Sequence, residues 1–115
     1  MKKLSIILCI LLSLFLLTAC EEEKTENSLD SVLKENNYII VDVRTEEEYN
    51  TSHVKGAINI PYDTIDENTE LDKEKTILVY CKSGTRSGIA KETLEKLGYE
   101  VINLGAFDSI TLEKE

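Results

Sequence analysis

A chain of 115 residues with 22 acidic and 13 basic side chains carries a formal charge of −9. Such a charge suits a soluble surface and discourages contact with nucleic acid or anionic lipid. Three cysteines and one histidine form no Cys/His cluster, so no zinc or haem site is expected and no metal or other cofactor is implied.

At the amino end, Lys2 and Lys3 precede an apolar stretch from Leu4 to Leu17 and then Thr18-Ala19-Cys20. A charged start, a short apolar segment and small residues form an export signal. The segment is shorter than the roughly 20 residues that span a bilayer. Leu17-Thr18-Ala19-Cys20 closely resembles the lipobox of bacterial lipoproteins. That resemblance implies cleavage after residue 19, a diacylglyceryl group on the Cys20 sulfur and, usually, acylation (palmitate, for example) of the new amino group. Two or more chains anchor stably where one is marginal, so the expected location is the cell membrane, lipid-anchored on its extracytoplasmic side. An ordinary secretory peptide or an uncleaved anchor is the alternative; the switch to Glu21-Glu22-Glu23 argues against a continuing apolar helix. Cleavage removes Lys2, Lys3 and no acid, leaving 11 basic against 22 acidic side chains, a charge of −11. With Cys9 lost and Cys20 lipidated, Cys81 has no partner for a structural disulfide.

Residues 20–27 read as the lipidated cysteine and an acidic, solvated tether, and residues 28–115 as one domain with a single core. Ser28 caps a short helix with Leu29, Val32 and Leu33 on its apolar side, ending near Asn36-Asn37. Tyr38 to Val43 is a dense apolar run, expected as a central strand. Thr45 and Glu48 have capping-box spacing, which predicts a helical turn over Glu46 to Asn50. Gly56 to Ile60 reads as a short strand stopped by Pro61. Ile65 and Leu71 are core anchors in an irregular stretch. Thr76 to Tyr80 is a buried strand, residues 87–97 a helix with Ile89, Ala90, Thr93, Leu94 and Leu97 on one face, and Val101 to Leu104 a last strand. Gly98 ends the helix in a left-handed cap. Alternating strands and helices predict an α/β fold: a mainly parallel central sheet of four to five strands with helices on both faces.

In such sheets ligands bind at the carboxyl ends of strands, and the strand ending at Tyr80 delivers Cys81 there. The loop Cys81-Lys82-Ser83-Gly84-Thr85-Arg86 then leads into a helix N-terminus, whose free N–H groups favour an anion. Lys82 and Arg86 add positive charge, and together these lower a thiol pKa from about 8.5 toward neutrality. Gly84 takes a positive φ at low cost, letting the loop curl around whatever the sulfur attacks. Cys81 is therefore the candidate nucleophile; the competing reading is a small buried core cysteine.

Taken in order, Val41-Asp42-Val43-Arg44 with Glu48-Tyr49, His53-Val54-Lys55-Gly56-Ala57-Ile58-Asn59-Ile60-Pro61, Val79-Tyr80-Cys81 and Gly98 to Gly105 resemble the single-domain rhodaneses, or sulfurtransferases. The resemblance spans about residues 28 to 107. It implies catalysis by Cys81 through a covalent persulfide, with a small anionic sulfur donor such as thiosulfate and a thiol or cyanide acceptor, a protein thiol among the candidates. Lys82, Ser83, Gly84, Thr85 and Arg86 become the substrate-binding residues. Asp42 and Arg44 become structural residues near the site, Arg44 pairing with Glu48 or another nearby acid, and His53 a structural turn residue.

Two other functions fit parts of the pattern. Phosphatases and arsenate reductases use a C-x5-R loop, but only four residues separate Cys81 from Arg86, a narrower ring better suited to a sulfur atom. A membrane-tethered persulfide carrier or redox-sensing module with little turnover needs the same loop. The chain departs from the family pattern at Ser52, where glycine is common, at Val54-Lys55 in place of Ile-Pro, and at Leu104-Gly105-Ala106-Phe107 in place of a Gly-Gly turn. The final helix is expected to be shortened or missing, with Phe107, Ile110 and Leu112 partly filling its place and stability modest as a result.

Overall fold

The computed structural model describes residues 29–115; the export signal, Cys20, the tether and the expected cap Ser28 lie outside them. Leu29–Glu35 form helix α1, and Asn36, at φ 53°, follows it. From Asn36 onward the chain forms a second compact unit.

Strand β1 (Tyr38–Asp42) leads to helix α2 (Glu46–Thr51), whose start carries both halves of the expected capping box: the Thr45 hydroxyl accepts from the Glu48 N–H, and the Glu48 carboxylate from the Thr45 N–H. Strand β2 shrinks from the expected Gly56–Ile60 to Ile58–Asn59. Gly56 is in the left-handed region at φ 83°, inside a turn closed by the Ala57 N–H on the Val54 carbonyl. Strand β3 (Thr76–Cys81) is buried at every position, which is why its sequence is a continuous apolar run rather than an alternating one. Helix α3 covers Thr85–Lys96 and strand β4 Val101–Ala106. The four strands lie in the order β2-β1-β3-β4, and every pairing is parallel.

Residue alternation assigns two faces. Val41, Val43, Ile77, Val79 and Cys81 form one cluster with Ala90 and Leu94 of α3, Ile65, Tyr99 and Val101. Leu71 packs against it as anticipated. Ile89, expected on the buried helical face, is 47% exposed. The buried stripe of α3 runs instead through Ser87, Ala90 and Leu94, small residues at its start holding the helix close to the sheet. Gly98, at φ 97°, ends the helix as its position predicts.

The opposite face carries Ile40, Asp42, Leu78 and Tyr80, all buried. Asp42 is fully buried and Arg44 is 5% exposed. The Arg44 side chain donates to both Asp42 oxygens at 2.7–3.0 Å; the Tyr80 hydroxyl donates to Asp42 Oδ2 at 2.9 Å and accepts from the Val54 N–H at 3.0 Å. Phe107 lies over this group, 5.7 Å from the Tyr80 ring and 4.3 Å from the Arg44 guanidinium carbon. Phe107 thus takes up part of the role expected of it in place of a final helix, and Ile110 is buried too. After β4 only a 3-10 turn, Phe107–Ser109, appears among the described residues. Residues 113–115 then pair antiparallel with 53–55 through Lys55 N–H to the Glu113 carbonyl and reciprocal bonds between His53 and Glu115.

A buried ion pair broken on one side leaves an uncompensated charge, at a cost of about 3–5 kcal/mol. Asp42→Ala is expected to lose that much stability, because the buried Arg44 guanidinium would lose its counter-charge and keep only one hydrogen bond, to the Ser52 carbonyl. Tyr80→Phe, which orphans one N–H, should lose about 1–3 kcal/mol. Urea denaturation midpoints of the two variants, compared with the parent chain, check both the sizes and their order.

Candidate active site

Cys81 is the last residue of β3, and the chain turns immediately into α3. Gly84 is the N-cap of that helix, at φ 98°, a conformation glycine adopts at little cost. This starts the helix at Thr85, two residues earlier than its apolar periodicity suggests. The Gly84 N–H then points back to the Cys81 sulfur at 2.9 Å. The Gly105 backbone lies beside Gly84, close enough that a Cβ on Gly84 would be in ordinary contact with the Gly105 Cα at 3.6 Å. Gly105 approaches because β4 carries an irregularity, where the register with β3 slips between Val79 and Tyr80.

Cys81 is fully buried. Burial pushes its thiol pKa up, while the Ser87 hydroxyl and then the backbone N–H groups of Ser87, Gly84 and Ser83 pull it down, and the net effect is a lowered pKa. The Ser87 Oγ lies 3.4 Å from the sulfur. The collar of amide hydrogens expected from the sequence is therefore present, with a side-chain hydroxyl added to it. Lys82, Ser83 and Thr85 are exposed. The Ser83 and Thr85 hydroxyls lie 3.5 Å from each other, and Lys82 makes no ion pair among the described residues.

Of the nearby acids expected to pair with Arg44, the structure selects Asp42 rather than Glu48. Glu48 instead binds Arg86 through two bonds, of 2.8 and 3.2 Å. Arg86 holds the Glu48 carboxyl down at a pKa of about 2, and Glu48 in turn raises Arg86, with Cys81 and Tyr62 contributing further. The cation expected to meet a substrate is thus partly committed to an internal partner. His53 is the structural residue it was expected to be: its Nδ1 lies 2.9 Å from the Tyr49 carbonyl, and its ring stacks on Tyr49 at 3.9 Å.

Ser87 and the Glu48–Arg86 pair were absent from the sequence reading of the site. Ser87 left one signal, a small polar residue on the buried stripe of a helix. Glu48 was absorbed by its capping role, which does not reveal that the same carboxylate bridges to the cysteine loop.

Residues 25–111 match the rhodanese-like domain family. The chain is 44% identical over 78 residues to the thiosulfate sulfurtransferase PspE of Escherichia coli, an alignment covering 64% of this chain and 75% of that one. It is 39% identical over 67 residues to the putative sulfur carrier protein YrkF of Bacillus subtilis, covering 56% of this chain but only 36% of the relative. A solved structure described as a rhodanese with anions from E. coli superposes with a TM-score of 0.61 at 39% identity, covering 68% of this chain and 96% of that one. The chain belongs to the rhodanese-like domain family. Within it, the fold and these relatives define a rhodanese-type sulfurtransferase.

The Glu48–Arg86 pair gives the site a pH signature. A carboxyl lowered from 4.5 to about 2 contributes stability above its unfolded pKa, and the contribution is lost as pH falls through the folded value. Glu48 and Arg86 side chains are 27% and 26% exposed, so the effect is screened but present. Melting temperatures of the parent chain and Glu48→Gln, measured from about pH 6 downward, should differ above pH 4.5 and converge towards pH 2.

Proposed function

We propose that the chain moves a sulfane sulfur from thiosulfate or a related anionic donor to a thiol or cyanide acceptor through a persulfide on Cys81. The observation that carries this is the Gly84 N–H on the sulfur at 2.9 Å, at the carboxyl end of a central strand. The thiolate attacks the outer sulfur of thiosulfate, a new S–S bond forms, and the old one breaks with its electron pair leaving on sulfite. An acceptor then attacks the outer sulfur of the persulfide, and the pair of the broken bond returns to the Cys81 sulfur. Two half-reactions of this kind are nucleophilic catalysis, with the loop amides holding the charge as an oxyanion hole does.

Lys82, exposed and without an ion-pair partner among the described residues, is the cation that draws the donor in. The amides of Ser83 and Gly84 hold the sulfur, Thr85 edges the loop, and Arg86, held by Glu48, fixes the first turn of α3. Asp42 and Arg44 serve from behind, locking the strand end that precedes α2. A buried sulfur meets its donor only when the loop shifts, and the exposure of Lys82, Ser83 and Thr85 leaves that movement unopposed by packing. The names of PspE and of the superposing rhodanese, with its anions, support the substrate class. The Leu17-Thr18-Ala19-Cys20 tetrad supports a lipid anchor on Cys20 that places this chemistry on the extracytoplasmic side of a cell membrane. There a protein thiol is a natural acceptor.

Intact-mass measurement of the purified protein after exposure to thiosulfate tests the proposal. The parent chain should gain one sulfur atom and lose it to cyanide, and Cys81→Ser should gain none. Loading followed by slow release to small thiols would instead favour the tethered carrier. No loading with thiosulfate, mercaptopyruvate or polysulfide would favour the redox-sensing module.

A further inference from the structure

We infer that Ser87 is a second catalytic residue, whose hydroxyl turns to donate a hydrogen bond to the Cys81 sulfur whenever charge resides there, the proton staying on the serine oxygen. This inference rests on the persulfide reading of Cys81. Ser87 is fully buried, and its Oγ lies 3.1 Å from the Gly84 carbonyl and 3.4 Å from the Cys81 sulfur. A serine hydroxyl has one proton, so it donates to one of these acceptors at a time. The carbonyl is a fixed dipole, whereas the sulfur changes charge during the reaction.

As a thiolate, Cys81 is the stronger acceptor and receives the hydroxyl's hydrogen bond, because bonds to charged groups are roughly twice as strong as neutral ones. Once the outer sulfur is bound, the negative charge sits on that outer atom, and the hydroxyl turns back to Gly84. In the second half-reaction, cyanide attacks the outer sulfur and the S–S bond breaks, giving thiocyanate and returning the electron pair to the Cys81 sulfur. The hydroxyl then turns again to meet the leaving thiolate. Ser87 so lowers the barrier to sulfur release, the step in which this sulfur is the leaving group.

The bland account is a serine that bonds back to the helix start and fills space. It explains the Gly84 bond but not the placement of the same oxygen beside the sulfur. The ionisable groups around the sulfur are Arg86 on α3, which interacts with Cys81, Tyr62 and Glu48, and Lys82, the next residue. None of them is altered by a change at Ser87.

Ser87→Ala keeps the volume and the helix while removing the oxygen. The persulfide is loaded with thiosulfate, freed of excess donor, and mixed with cyanide in a single turnover; in parallel, the pH dependence of Cys81 alkylation by iodoacetamide is recorded. Thiocyanate release is expected to slow about tenfold, and the alkylation midpoint to rise by about one pH unit, the shift equivalent to a tenfold change. A structural role alone would lower the melting temperature and move neither. Loading of the parent chain with unchanged release and midpoint in the variant overturns the Ser87 inference alone. Failure of the parent chain to load overturns both it and the persulfide reading. If the variant does not fold, the Ser87 hydroxyl proton of the parent chain is followed by NMR. A resonance that moves downfield as the thiolate forms and returns on sulfur loading supports the inference; one that exchanges freely or stays fixed overturns it.

Discussion

A single left-handed glycine decides what the sulfur of this protein can do. At φ 98°, Gly84 turns its N–H onto Cys81 and starts α3 within the next residue. The amides of the first turn then face the strand tip. Any residue with a Cβ in that place meets an unfavourable backbone conformation at φ 98°. Without the bonds that this turn brings to the sulfur, from the Ser87 hydroxyl and the Ser87, Gly84 and Ser83 N–H groups, the burial of Cys81 would favour the neutral thiol, and the strand would end in an inert core cysteine. The interaction converts burial, which opposes ionisation, into a dry pocket in which short hydrogen bonds hold charge effectively.

Two ion pairs support that pocket from different directions. On the far face of the sheet, Asp42, Arg44 and Tyr80 form a closed set of partners under Phe107. Their hydrogen bonds fix the ends of β1 and β3 relative to each other. On the near side, Glu48 reaches from its capping position to Arg86 and joins α2 to the first turn of α3. One carboxylate therefore serves a local purpose, completing a helix cap, and a long-range one. A loop that must shift to admit a donor is thus flanked by rigid attachments and is itself exposed.

Much of this arrangement could be read from residue order. The unbroken apolar run before Cys81, the Thr45/Glu48 spacing and the glycines at 84 and 98 each have one physical reading, and the structure agrees with them. That Arg44 pairs with a nearby acid was also legible; of the four within four residues, Asp42, Glu46, Glu47 and Glu48, alternation along the extended chain puts Asp42 on the side of Arg44, and the two pair. Ile89 misled because hydrophobicity marks a buried position only when the opposing surface has room. Here Ser87 and Ala90 bring the helix too close to the sheet for a wider apolar stripe. Ser87 itself escaped notice because its importance comes from three-dimensional proximity to a sulfur six residues away in sequence.

Gly105 of β4 lies beside Gly84, which ties the sulfur pocket to a strand on the border of the sheet. β4 has a neighbour on one side only, and border strands are among the first elements to fray. Should β4 peel away, the loop loses the wall that shapes it, although β1, β3 and their shared ladder remain paired. Chemical competence and global integrity are thus separable in this molecule: warming or mild denaturant would silence the cysteine while most of the hydrophobic interior is still intact.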